Sequence, residues 1–413
     1  MKKLLLSASV GLLSIATLQN AQAAGFYIQE QSVKGLGYAF SGSSTSINDA
    51  STIYYNPAGM TRLDGAQMNG GAHLLKANAD LNDNGSSNAL GAPLGENPSN
   101  PYDAAVIPNL YGATPILEGR AWIGFGISAP FGLANDYGET WFGRFDSTET
   151  ELTTIDFQPS VAIKATEWLS LGLGVNVQYA DAELKSVVRD AQEGISTLKE
   201  NDISFGYTIG ALASLCDGWD IGVNYRSGIT HELDGTISLI GTAASDFNTS
   251  GTATLGLPDV ATFGVGHDAT EDLRLMAQAT WFGWNNFQDI TARNDAGATI
   301  SQVVQNYQTT WAFAIGAEYE LNEEWTLRGG YQYDETPTTD LFRTSRTPDG
   351  DRNWFSAGAT YKLNDNLELD MAATYIDISE EKINVTRNSG AATVRGTTDG
   401  SVGIFALGVN YKF

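Results

Sequence analysis

The sequence has few of the features that hold soluble domains or helical membrane proteins together. Its 413 residues include one cysteine, Cys216, so no internal disulfide is possible. Beyond Leu18, no stretch approaches the roughly 20 consecutive apolar residues of a membrane-spanning helix. Positive charge is also scarce, since 23 Lys and Arg face 48 Asp and Glu, a formal net charge of −25 at pH 7. Nucleic-acid binding is therefore excluded as a function class.

Residues 1–23 have the features of a secretory signal: two lysines, an apolar run from Leu4 to Leu18, and the small-residue cleavage site Ala21-Gln22-Ala23. We expect the mature chain to begin at Ala24, with 21 basic and 48 acidic residues, or −27. Much of this acid falls in expected loops, where it is interpreted as a solvated surface. Divalent cations that bridge the loops to lipopolysaccharide are the alternative.

The rest of the chain alternates apolar and polar residues in fourteen segments. In the last one, Phe405, Leu407, Val409, Tyr411 and Phe413 occupy every second position. A strand of about 9–11 such residues crosses a bilayer with one face to lipid and the other to the lumen. The predicted strands are 65–80, 104–117, 120–133, 149–165, 168–187, 202–215, 219–240, 249–268, 272–292, 305–321, 325–337, 352–363, 366–387 and 399–413. The sequence therefore predicts an all-β fold, a transmembrane antiparallel β-barrel of about fourteen strands.

The connections between these strands alternate in length. Short turns such as Glu118-Gly119 and Asn364-Asp365 follow long polar gaps such as 188–201, 293–304 and 388–398. Bacterial barrels keep short turns in the periplasm and long loops outside. We therefore expect the outer membrane of a Gram-negative cell, with both mature termini in the periplasm.

Residues 24–64 do not alternate. They are small and polar, with Gly35-Leu36-Gly37 and Asn56-Pro57-Ala58 among them. The barrel is expected to occupy 65–413, so this segment is left at its periplasmic end. We predict that it folds into the lumen as a plug.

Several short motifs are distributed along the mature chain. They are Ala24-Gly25-Phe26, Asn56-Pro57-Ala58, Pro130-Phe131-Gly132-Leu133, Leu171-Gly172-Leu173-Gly174, Tyr225-Arg226-Ser227, Asp334-Glu335-Thr336-Pro337 and Pro348-Asp349-Gly350-Asp351-Arg352. In their sequence and in their order, these motifs resemble one known family, the FadL-type outer-membrane transporters of long-chain fatty acids. The resemblance covers nearly the whole mature chain.

The resemblance implies a monomeric fourteen-stranded barrel, closed by an N-terminal hatch, that takes up hydrophobic small molecules into the lipid bilayer without energy, metal or cofactor. In the family, the ligand moves from an outer groove to a tighter pocket beside the mature N-terminus. Here that end carries Phe26, Tyr27 and Ile28. These side chains either line the ligand pocket or cover the small core of the hatch itself.

The family's ligand then leaves through a gap in the wall where strand three kinks. Pro130, Phe131 and Gly132 match that kink. Proline cannot donate to a strand ladder and glycine relaxes the backbone, so local loss of pairing is expected. The alternative interpretation is an ordinary bulge near the rim of the barrel.

A fatty-acid carboxylate would benefit from a cation in the lumen, because charge-assisted hydrogen bonds from arginine are strong. By strand parity, Arg226, Arg328 and Arg352 point inward. The alternative is that they pair with lumen carboxylates such as Asp334. The family's ligand-contacting arginine would fall near Lys185, so the chain departs from the family there, and a neutral aromatic hydrocarbon becomes the rival substrate.

An enzyme is a less favoured interpretation. The three histidines lie on separate predicted strands, and by parity His231 and His267 face lipid. Neither is then placed to activate a serine in the lumen, as an outer-membrane lipid-processing enzyme would require. A general hydrophilic porin is disfavoured by the expected plug.

Overall fold

The computed structural model describes residues 25–189, 193–215, 218–241 and 246–413. The expected signal sequence, Ala24 and Cys216 lie outside these ranges. Among the described residues, no helix is long and apolar enough to cross a membrane.

Fourteen antiparallel strands form one closed sheet, which confirms the predicted fold class. The strands are β1 (Gln67–Asp83), β2 (Ala104–Ile116), β3 (Ala121–Ser128 with Gly132–Asp136), β4 (Glu149–Lys164), β5 (Leu169–Arg189), β6 (Glu193–Ser214), β7 (Trp219–Arg226 with Thr230–Ile240), β8 (Phe247–Gly256 with Val260–Asp268), β9 (Leu273–Phe282 with Asp289–Asn294), β10 (Thr299–Val304 with Thr310–Glu320), β11 (Trp325–Asp334), β12 (Arg352–Asn364), β13 (Leu367–Arg387) and β14 (Ala392–Lys412). The sheet closes because β1 pairs with β14 along its whole length, from Gln67 opposite Lys412 to Asp83 opposite Gly396.

The two faces of the wall separate as the alternation predicts. Apolar side chains such as Leu173, Phe205 and Leu407 are exposed on the outer face, with Phe205 69% exposed. Their neighbours along the strands point inward and are buried, for example Asn176 and Thr208. An apolar outer face and a polar inner face are the arrangement of a membrane barrel.

The outer ends of several strands extend well beyond the predicted limits. β5 and β6 pair as far as Arg189 opposite Glu193, and β13 and β14 as far as Arg387 opposite Ala392. The predicted loops 188–201, 293–304 and 388–398 are therefore wrong, since most of their residues are strand. These extensions contain buried or half-buried apolar side chains such as Val394 and Leu198, but they lack the long, regular alternation of apolar and polar residues by which the strands were recognised.

Five strands are interrupted, and of these breaks only the one at Pro130 and Phe131 is expected from the sequence. The breaks cover 129–131, 227–229, 257–259, 283–288 and 305–309. Pro130, Gly228, Pro258 and Gly283 lie in four of them, and proline lacks the donor that the ladder needs.

The break in β7 shifts the inward phase by one residue. Arg226 points inward before it and His231 after it. The predicted lipid-facing orientation of His231 is therefore wrong. Its ring is fully buried, with Nδ1 3.0 Å from an Asp202 carboxylate oxygen and Nε2 3.1 Å from Oε1 of Gln178. A one-residue slip moves every later side chain to the other face of a strand.

The N-terminal segment, residues 25–66, packs against the inner face of the wall. It contains α1 (Val33–Gly37), α2 (Thr52–Tyr55) and a 3₁₀ turn (Pro57–Arg62). Its apolar side chains, including Leu36, Phe40, Ile53 and Met60, are fully buried and join one core with inward residues of the strands.

Candidate functional site

An apolar cavity of about 60 Å³ lies against the side chain of Phe26. Leucines from several strands line it: Leu133, Leu152, Leu184, Leu198, Leu233 and Leu255. Polar side chains also reach it: Arg346, Glu200, Gln305, the more exposed Glu151, and the threonines Thr150, Thr254 and Thr347. The cavity is thus a hydrophobic chamber with a few polar points, the usual composition of a small-molecule site.

Phe26 closes one side of this cavity within a cluster of aromatic rings. Its ring centroid lies 4.8 Å from that of Trp284, 5.2 Å from Phe287 and 6.1 Å from Phe131. The breaks in β3 and β9 supply these three rings, because a chain that leaves the ladder can turn a large side chain inward. The edge-to-face contacts hold the Phe26 ring in place.

The backbone of residues 26–28 pairs with the kink of β3. The Ile28 N–H donates to the carbonyl of Pro130 at 2.8 Å, and the Gly132 N–H donates to the carbonyl of Phe26 at 3.0 Å. Tyr27 and Phe131 lie opposite each other as an antiparallel bridge. Phe26 therefore both borders the cavity and pairs with the kink, whereas Tyr27 and Ile28 are buried in the packing around it and do not line the cavity.

The ladder between β2 and β3 is incomplete at the level of this kink. Within the described ranges, its pairing ends at Leu110 opposite Ile127, and residues 104–109 of β2 pair only with β1. Above the kink, the Asp136 N–H donates to the carbonyl of Pro101 at 3.0 Å. The wall thus has a stretch without strand pairing between β2 and β3. It is bounded on one side by the Leu110–Ile127 end of the ladder and on the other by the hydrogen bond from Asp136 to Pro101.

Asn56, Pro57 and Ala58 join the N-terminal segment to β5 and β6. The Asn56 amide donates to the carbonyls of Ser44 at 2.9 Å and Ala211 at 3.0 Å. This close approach requires glycine on the wall, because a Cβ at Gly210 would lie 2.1 Å from the Asn56 Oδ1. The motif fixes the segment to the wall and does not line the cavity.

The cations chosen from the sequence are all engaged in ion pairs. Arg226 lies 2.7 Å from Asp156, and Arg328 lies 2.6 Å from Glu318. Lys185 is 2.7 Å from Glu149, and the Nε of Arg352 is 3.1 Å from Asp349. The inward arginines thus have carboxylate partners already. Of the carboxylates named from the sequence, Asp334 is buried with one oxygen unpartnered.

Arg346, which the sequence reasoning missed, is the cation at the cavity. It is 6% exposed, and its Nη1 makes only 3.4 Å contacts with Ser147, Thr150 and the Glu149 carbonyl. Its Nε has no hydrogen-bond partner, and among the described residues no carboxylate lies within ion-pair distance of it. Burial lowers the pKa of Arg346 to about 10, so the guanidinium remains charged at neutral pH.

The closed barrel, its apolar outer face and its internal apolar cavity define the class as an outer-membrane transport barrel. The family model for outer membrane protein transport proteins (OMPP1/FadL/TodX) matches residues 13–413, and the chain belongs to this family. It is therefore an outer-membrane transporter of hydrophobic compounds and not an enzyme.

Individual relatives agree with this assignment. The long-chain fatty acid transport protein of Escherichia coli is 27% identical over 95% of both chains. Outer membrane protein P1 of Haemophilus influenzae is 28% identical over 95% of this chain and 96% of its own.

Solved structures share the fold. A Pseudomonas aeruginosa FadL homologue superposes with a TM-score of 0.90 at 24% identity, covering 94% of this chain and 100% of its own. The P. putida toluene transporter TodX gives a TM-score of 0.70 at 15% identity, covering 91% and 98%.

Proposed function

We propose that this barrel takes up long-chain fatty acids by diffusion, with the acyl chain in the cavity beside Phe26 and the carboxylate on Arg346. The observation that carries the proposal is a buried, charged guanidinium with an unpartnered Nε at the wall of an apolar chamber. A carboxylate would supply the missing acceptor through a charge-assisted hydrogen bond. The leucine lining suits the alkyl chain.

A long acyl chain needs more room than the present cavity, since pockets for small molecules usually measure about 300–1,000 Å³. The ring of Phe26 is the side chain whose displacement would enlarge it. Because the Phe26 carbonyl accepts from Gly132, such a displacement would also loosen the pairing at the kink. Entry of the ligand and opening of the wall are thereby coupled.

The ligand would leave sideways through the unpaired stretch between β2 and β3. This route takes an apolar molecule from the cavity to the membrane without crossing water, whose contact costs about 25 cal/mol per Å² of apolar surface. With both mature termini in the periplasm, residues 24–64 would act as a hatch. This hatch would close the periplasmic end of the lumen.

The test is uptake and binding of oleate by the Arg346→Met variant. We expect oleate binding to weaken by at least about tenfold, because a charge-assisted hydrogen bond contributes roughly 1.5–3 kcal/mol. Binding of methyl oleate, which has no carboxylate, should change little. The control is Arg293→Met, which removes an exposed arginine from the outer part of β9. Unchanged oleate binding in the Arg346 variant would contradict the proposal.

Uptake of aromatic hydrocarbons is the second candidate. The aromatic cluster around Phe26 favours it, because a small aromatic ring could replace the Phe26 ring with the same edge-to-face contacts. Two results would favour this candidate. The Arg346→Met variant would still take up toluene, and its oleate transport would equal that of the unmodified protein.

A further inference from the structure

Two further polar side chains face the cavity without partners. Glu200 on β6 is 1% exposed, and neither of its carboxyl oxygens has a hydrogen-bond partner. Gln305, at the break in β10, is also 1% exposed, and both its amide nitrogen and its amide oxygen lack partners. Both residues line the same chamber as Arg346. Buried polar groups in folded proteins are normally satisfied, so this pair calls for a partner.

β6 and β7 approach each other closely beside Glu200. An added Cβ at Gly235 of β7 would lie 2.0 Å from the Lys199 carbonyl oxygen, 2.7 Å from the Glu200 Cα and 2.8 Å from the Glu200 Cγ. Glycine at this position therefore lets the backbone that carries Glu200 pack against β7.

Glu200 and Arg346 mark different parts of the cavity. Arg346 contacts Thr150 on β4, whereas Glu200 belongs to β6, which follows β5 in the sheet. Two strand spacings, about 10 Å, separate β4 at Thr150, which Arg346 contacts, from β6 at Glu200. A single ligand that reaches both must therefore carry two polar groups with a stretch of apolar chain between them.

Building on the proposed function, we infer that the pocket selects fatty acids that carry a hydroxyl group in mid-chain. The carboxylate would bind Arg346, and the hydroxyl would bind Glu200 or Gln305. A hydroxyl both donates and accepts, so it suits the amide and suits the carboxyl group whether or not that group is protonated. An alkyl chain without a hydroxyl would exclude water from these polar atoms and form no hydrogen bond with them. The lost hydration disfavours binding of such a chain.

The test compares oleate with ricinoleate, which differs from oleate by one mid-chain hydroxyl. Their affinities for the purified barrel would be measured by isothermal titration calorimetry. We expect the unmodified protein to bind ricinoleate at least about tenfold more tightly, as sites with unpaired polar groups reject analogues that lack the matching group. In Glu200→Met the two affinities should come within about threefold, mainly because oleate binds better.

Two further variants make the result specific. Glu380→Gln changes an exposed acid of β13 that does not line the cavity and should leave the preference intact. Gln305→Leu should reduce the preference independently, which keeps the test decisive if the Glu200 variant folds poorly.

Equal affinity for the two acids in the unmodified protein would overturn the inference, as would a preference that persists in both Glu200→Met and Gln305→Leu. In that case, sensitivity of both acids to Arg346→Met would leave the proposed function standing. If neither acid depended on Arg346, the proposed function would fail as well.

Discussion

The N-terminal segment has two parts that are held to the barrel in different ways. Residues 25–28 are held by backbone hydrogen bonds to the kink of β3 and by aromatic contacts. Residues 33–62 are held by the apolar core described above and, in addition, by ion pairs to the wall. The Nζ of Lys34 lies 3.1 Å from Glu368 of β13, and Arg62 bonds Asp220 of β7 and the Ser214 hydroxyl, the latter at 2.7 Å.

The difference shows which part a hydrophobic ligand can displace. An apolar molecule can replace the contacts of the Phe26 ring with contacts of its own. It cannot replace a carboxylate beside Lys34, and breaking a buried ion pair costs roughly 3–5 kcal/mol. We therefore expect passage of the ligand to move residues 25–28 and to leave residues 33–62 in place.

The largest expected effect is a difference in single-channel conductance between two deletion variants. Removal of residues 24–64 should raise single-channel conductance in planar bilayers strongly, because the core of the segment, with Leu36 and Ile53, would leave the lumen. Removal of residues 24–28 alone should raise it little, since the ion-paired part remains. Equal conductance of the two deletion variants would show that residues 29–64 do not close the barrel.

The next largest expected effect is a loss of fatty-acid uptake when the kink of β3 is replaced by a continuous strand. In the double variant Pro130→Val and Gly132→Thr, β3 can continue its ladder with β2, so the wall closes. We expect fatty-acid uptake by cells to be lost, whereas binding to the purified protein is retained. The matched control is Pro258→Val at the break in β8, far from the gap. Normal uptake by the double variant would indicate an exit into the periplasm.

The regular part of this fold could be predicted from the sequence, whereas of its interruptions only the one at Pro130 could. The outward faces of β5 and β14 follow directly from alternation at Leu171 to Leu173 and Phe405 to Phe413. At 227–229 and 257–259, however, both flanks alternate and only the phase changes, so His231 was assigned to the wrong face.

Arg346 escaped prediction for a related reason. It lies in the loop between β11 and β12, where side-chain direction has no period. One signal was available, because Arg343 and Arg346 lie in this loop and Arg352 begins the next strand, in a chain with only 23 basic residues. Which of the three lacks a carboxylate depends on tertiary contacts, and no local pattern encodes that.

The ion-paired part can be weakened at one residue. Lys34→Met removes the cation that Asp49 and Glu368 share. Glu368 keeps its ion pair with Lys412 at 2.8 Å, so the cost falls on the buried Asp49, and we expect a loss of roughly 3–5 kcal/mol in the anchoring of the segment. Limited proteolysis from the periplasmic side should then cut within residues 33–62. Lys76→Met, which removes an exposed lysine of β1, serves as the control. Equal protection of both variants would mean that the ion pair does not anchor the segment.

The smallest expected effect is a change of protein stability with pH, caused by Glu30. This residue lies between residues 25–28 and residues 33–62. Burial raises the pKa of Glu30 from 4.5 to about 7, and Arg352 opposes this only in part. Arg352 and Asp334 are the charged groups that face it. Because the folded state binds the extra proton, the free energy of unfolding should fall as pH rises from about 4.5 through about 7, and the loss should be complete above that window.

We therefore expect thermal unfolding in detergent to occur at higher temperature at pH 5 than at pH 8, with Glu30 contributing on the order of 1–3 kcal/mol. Glu30→Gln should flatten this part of the pH dependence, because the amide keeps its shape and never ionises. The exposed Glu118→Gln in the turn between β2 and β3 should leave the dependence unchanged. If Glu30→Gln unfolds with the original pH dependence, the carboxyl at the junction is not the group that titrates.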